Sequence, residues 1–117
     1  MNQTELKTRT KQFALRILKL TAALPNTQEA KIIRNQLGRA GTSVGANCRA
    51  SCRARSKAEF ISKIGNVIEE ADESCFWLEL IIEGKFMLAT KVKELLLEAN
   101  ELTAIMTASR KTAEENK

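Results

Sequence analysis

Residues 38–57, GRAGTSVGANCRASCRARSK, concentrate the side chains of this 117-residue chain that could do chemistry. Three glycines raise the prospect of a phosphate-cradling loop, two cysteines a metal site, and five basic residues without an acid an anion-binding face. A phosphate loop places its glycines at a sharp turn after a strand, usually before a Lys-Ser/Thr pair. Gly38, Gly41 and Gly45 have neither the strand nor the pair. Zinc takes four ligands from Cys, His or carboxylate, whereas this chain has Cys48, Cys52 and Cys75 and no histidine. The cysteines therefore read as small buried hydrophobes, and no metal or cofactor is expected.

The missing histidine removes further chemistry. Carboxylate-bridged di-iron bundles need Glu-x-x-His pairs, haem needs an axial ligand that is commonly His, and hydrolytic triads need a His base. Glu69, Glu70, Asp72 and Glu73 form the one dense carboxylate cluster. They read as a solvated helix face, since no acid–base partner is identifiable. No catalytic residue is assigned, and no enzymatic activity is expected.

The elements that position these residues are helical. Five glycines, one proline, no tyrosine and 4% aromatics argue against a sheet. Apolar residues recur at three- and four-residue steps in four segments, expected as helices over about 4–24, 27–55, 57–83 and 88–112. The stripes are Leu6, Phe13, Ile17, Leu20 and Leu24; then Ile33, Leu37, Ala40 and Val44, with Asn47, Ser51 and Ala54 in the same phase. The third is Phe60, Ile64, Val67, Ala71, Cys75, Leu78 and Ile82; the fourth is Leu88, Val92, Leu95, Ala99, Leu102 and Met106. Leu24-Pro25-Asn26 ends the first helix, because proline disfavours helix in the residue before it. Asn26 with Glu29, and Ser56 with Glu59, form capping boxes for the second and third. Gly84 is a natural stop. Four helices with short connections predict one all-α domain, an antiparallel up-down-up-down four-helix bundle. With no secretory signal or membrane-length apolar run and an odd number of cysteines, a cytoplasmic protein without membrane contact is expected.

On a helix, Gly38, Gly41, Gly45, Cys48 and Cys52 form a small-residue stripe beside the apolar one. Small side chains admit a close neighbour, either within the bundle or from another subunit. The charges are polarised. Residues 31–57 hold Lys31, Arg34, Arg39, Arg49, Arg53, Arg55 and Lys57 and no acid, while residues 59–83 hold seven acids against Lys63. Lys31, Arg34, Arg39, Arg49 and Arg53 share an arc of roughly 140° broadly opposite the apolar stripe. The first helix adds Lys7, Arg9, Lys11, Arg16 and Lys19 against Glu5. This basic face suits RNA or DNA backbone, bound by counterion release. It suits equally the acidic third helix of a neighbouring copy in a head-to-tail ring, or plain solvation. Few aromatics argue against base stacking.

Residues 40–60, AGTSVGANCRASCRARSKAEF, and 64–81, IGNVIEEADESCFWLELI, resemble the four-helix-bundle proteins encoded in intervening sequences of bacterial 23S rRNA genes. The similarity spans about 13–105, with 42–80 the specific part. Many members carry proline where Gly45 stands and an acid-glycine pair at Ala50-Ser51, so this chain looks like one of a basic subgroup. The resemblance implies a four-helix bundle, often a pentameric ring. It also implies a distant likeness to the accessory protein of diversity-generating retroelements, which contacts reverse transcriptase and nucleic acid. The function expected is that of a non-enzymatic oligomeric bundle binding RNA or DNA, or else an adaptor ring whose charged faces meet subunits or a partner protein.

Overall fold

In a computed structural model, which describes residues 1–116, the chain forms α1 (Gln3–Ala22), α2 (Gln28–Ser51), α3 (Lys57–Glu83) and α4 (Ala89–Glu115). The helix starts follow from side chains that satisfy otherwise unpaired N–H groups. Asn2 accepts from the Glu5 N–H at 2.8 Å, Thr27 from Ala30 at 3.1 Å and Ser56 from Glu59 at 3.1 Å. The expected cap at Asn26 is corrected to Thr27, one residue later, which lets Ala30 and Ile33 face the core. At Ser56 the Glu59 carboxylate reaches back to the Arg55 N–H at 3.3 Å, closing the box one residue further out.

Two expected ends also move. The second helix stops at Ser51, not 55. There the Ser51 hydroxyl takes the Cys48 carbonyl at 2.7 Å, and the Arg53 and Ala54 N–H groups bond three residues back, a tightened last turn. Leu88 does not belong to the core stripe of α4. It lies just before Ala89 with extended backbone and is 84% exposed. At the end of α3 the left-handed residue is Lys85 (φ 56°), not Gly84. Phe86 and Lys85 donate to Ile81 and Ile82, a Schellman closure. Gly84 serves a different purpose, since a Cβ there would lie 2.5 Å from the Phe86 ring.

Each helix packs along the next, and α1 returns to α4 through the thinnest of the four interfaces. With five-residue connections this is an antiparallel up-down-up-down bundle, 49 Å long and 20 × 19 Å across. The core takes Phe13 and Ile17 from α1, Leu37 and Val44 from α2, Val67 and Leu78 from α3, and Leu102 and Met106 from α4. Each such side chain contributes about 1.5–3 kcal/mol by leaving water. In α3 the buried stripe slips from Ile82 to Ile81 and takes in Ser74, as expected for a straight helix drifting about 20° per heptad. Buried Thr10, Ser51 and Ser74 bond their hydroxyls to carbonyls three or four residues back. Among the described residues no helix is long and apolar enough to cross a membrane.

Candidate nucleic-acid interface

A close approach of α2 to α1 fixes the site. A Cβ on Gly41 would lie 2.7 Å from Ile17, and one on Gly45 would lie 3.2 Å from the Thr10 carbonyl. Their missing side chains let α2 settle against the α1 backbone, and Cys48 is buried beside them. Helix α2 runs through Gly45 without interruption. Gly38, by contrast, faces open space, with nothing within 4 Å of a built Cβ.

Outside this seam lies a groove of about 530 Å³. Ala14, Gly45, Ala46 and half-buried Cys52 make a low floor, and Lys7 and Lys11 from α1 line it with Arg49 from α2 and Arg53 from the turn after it. No acid lines the groove. All four cations are exposed and none makes an ion pair among the described residues. Lys7 and Lys11 stand one helical turn apart, about 6 Å along the axis of α1. Four like charges without counter-ions repel one another and raise the local concentration of anions.

The other basic residues go elsewhere. Arg34 spends its guanidinium on the C-terminal end of α1, donating to the carbonyls of Thr21 (3.3 Å), Leu24 (3.2 Å) and Pro25 (3.0 Å). Arg39 reaches across to α3, bonding Glu70 at 2.9 Å and, more closely, Glu73. Those contacts hold its pKa above the ordinary arginine value, Glu73 first. The Trp77 indole N–H, donating at 3.1 Å, and then Arg39 hold the Glu73 carboxyl below the usual carboxylate range. Lys31 is exposed on the same helix, about 27 Å along its axis from Arg49. Arg55 and Lys57 are exposed where the chain passes from α2 into α3, continuing the basic path beyond Arg53.

Lys7 and Lys11, named with the other cations of a basic face on the first two helices but not singled out as contacts, are the α1 residues that line the groove. Their signal was present: they flank the α1 apolar stripe on the side of Thr10 and Ala14, the side that meets α2. Arg9 lies on the other flank. It is bound by Glu98 of α4 at 2.6 and 2.7 Å, with Glu101 at 3.3 Å, and its pKa is raised chiefly by Glu98. The cysteines are all free. Burial pushes the Cys48 thiol up, and burial followed by the Asp72 charge takes Cys75 to about 11. Both stay protonated at neutral pH, which disfavours metal ligation.

A model of the 23S rRNA-intervening sequence proteins matches residues 2–108. The chain belongs to that family. It is similar to a crystal structure from Bacteroides thetaiotaomicron, described as a protein of unknown function from the S23 ribosomal protein family. That likeness has a TM-score of 0.87 and 32% identity, over 95% of this chain and 99% of the other. No curated protein matches the sequence significantly. For this 23S rRNA-intervening sequence protein, then, the family carries the fold while the groove carries the chemistry. There two lysines of α1, Arg49 of α2 and Arg53 just beyond it set up an unbalanced positive field.

Proposed function

We propose that this protein binds the sugar-phosphate backbone of RNA or DNA in the α1–α2 groove, without catalysing a reaction. The observation that carries the reading is the acid-free set Lys7, Lys11, Arg49 and Arg53, all exposed and unpaired among the described residues. Arginine supports bidentate phosphate contacts and lysine point-charge contacts. Arg55 and Lys57 extend the track, and Lys31 is an outlying contact. The family's association with 23S rRNA makes RNA the first ligand to try. With no aromatic residue lining the groove, recognition would follow the backbone and little of the base sequence.

The test is fluorescence anisotropy with short single-stranded RNA and DNA across a salt series. Binding should weaken steeply with salt. In a Lys11→Ala/Arg49→Ala/Arg53→Ala variant the log–log salt slope should fall by about 0.7 per lost phosphate contact on single strands. Arg39→Ala should leave it unchanged. No binding at low salt, or a triple variant that binds like the parent, overturns the reading.

A second reading has its own support. The outer face of α3 exposes Glu69, Asp72, Glu79 and Glu83, none paired among the described residues. Such a face suits contact between subunits of a homo-oligomeric ring, a pentamer by the family resemblance, or with a partner protein. The two readings are compatible, since they use different faces.

A further inference from the structure

The acidic face of α3 surrounds an exposed aromatic ring. Phe76 is 52% exposed, and Glu69, Asp72, Glu79 and Glu83 lie one or two turns from it on the same helix face. The ring is held in place. It packs edge-on to Trp77, centroids 5.0 Å apart at 77°, and Trp77 is tied to Glu73, which is tied to Arg39. An aromatic ring fixed before binding loses little entropy when it docks, the character of an interface anchor.

A complementary surface lies between α1 and α4, away from the exposed face of α3. The thin α1–α4 interface is bridged by Arg9 with Glu98 and Glu101, and toward the far end of α1 it opens. Two adjoining cavities of about 340 and 520 Å³ there share Ala23, Met87, Lys91 and Glu94. Leu20 and Leu95 complete the floor, and Leu88 stands exposed at the edge. Both cavities are open at the surface, so a ring can enter from outside. The rim carries Arg16, Lys19 and Lys91 against Glu94 alone, and none of them makes an ion pair among the described residues.

The two surfaces also stand at one height. Phe76 lies seven residues before the end of α3, and Arg16 six before the end of α1. Lys91 and Glu94 lie in the first two turns of α4. In this antiparallel bundle all of these fall within about 10 Å of the same end. A head-to-tail contact closes into a ring when its two surfaces meet by rotation without translation along the axis. Surfaces at equal height remove the translation for an axis parallel to the helices, one of the two requirements for closure.

We propose that Phe76, with the acids around it, docks into the α1–α4 groove of a second copy, head to tail. The α1–α2 groove is the poorer receptor for this ring, because its floor offers only small side chains. This assignment rests on the second reading of function and names its interface. It does not depend on nucleic-acid binding.

The test is light scattering and sedimentation of the full-length chain. The parent should be a closed oligomer. Phe76→Ser, Lys19→Glu/Lys91→Glu and Glu79→Lys/Glu83→Lys should each reduce the mass to a single 13.0 kDa chain. All these positions except Lys19 and Lys91 lie on α3, and every one is exposed, so melting temperatures should stay near the parent's. Combining the two charge reversals in one chain should restore the parent mass. A monomeric parent overturns both the ring reading and this interface. An oligomeric parent whose mass survives the three variants overturns the interface alone. So does failure of the combined reversal to reassemble, or dissociation by Arg49→Glu in their place.

Discussion

Arg39 and Arg49 sit on the same helix, ten residues apart, and meet opposite fates. Arg39 leans toward α3 and finds Glu70 and Glu73. Arg49 leans toward α1, where the facing charges are Lys7 and Lys11. One arginine is neutralised inside the chain and the other joins a cluster of unbalanced positive charge. Net charge along a segment therefore does not measure the charge available to a ligand. What matters is which neighbouring helix each side chain leans over.

The largest effect in this comparison should come from the seam beneath the groove. Gly41→Val drives side-chain atoms into Ile17, which is fully buried. Overpacking of this kind costs about 1–3 kcal/mol. Thermal unfolding should show a clear drop, and the groove should lose its anion affinity with it. Next come the groove charges themselves. Arg49→Ala should weaken oligonucleotide binding several-fold with no loss of stability, because it removes a repelled charge. Arg39→Ala should do the reverse, leaving affinity intact and costing no more than about 1 kcal/mol, since the pair is half-exposed and screened. Equal effects of the two substitutions on binding would erase the distinction between the faces.

Smaller still, Gly38→Ala should stabilise the protein by up to about 1 kcal/mol, because its Cβ meets nothing and alanine favours helix. Gly41 and Gly45 should not tolerate the same change. The last effect is a pH dependence. Trp77 and then Arg39 hold the Glu73 carboxyl below the usual carboxylate range. Its contribution to stability is present above the unfolded pKa and is lost as pH falls through the lower folded one. The melting-temperature difference between the parent and Arg39→Ala should thus be full at neutral pH and vanish in strong acid. A difference that persists there would move the stabilisation elsewhere.

Much of the fold was legible from the chain alone. The three- and four-residue steps placed Phe13, Leu37, Val67 and Leu102 in the core, and the bundle followed from the short connections between stripes. Ser56 announced the start of α3. The errors cluster where two local choices are nearly equal in energy. Asn26 and Thr27 can both cap, and tertiary packing chose Thr27. Phase alone ran α2 on to 55, but the tightened turn at Arg53 and Ala54 that leads into α3 ended it earlier. Leu88 has the right phase for the core and lies one residue outside the helix that would carry it there.

The candidate site was legible only in part. Arg49 and Arg53 were named from the acid-free run, whereas Lys7 and Lys11 emerge as their partners only when α1 and α2 lie side by side. Arg34 shared the basic arc, yet its donors go to carbonyls at the end of α1. Helical periodicity depends on residues three and four apart, so the sequence by itself determined the helices, their buried stripes and the positive sign of the α2 face. Ion pairing depends on residues such as Arg39 and Glu70, brought within 3 Å by the register between helices. Only the tertiary structure decided which arginines were spent and which were left facing an open groove.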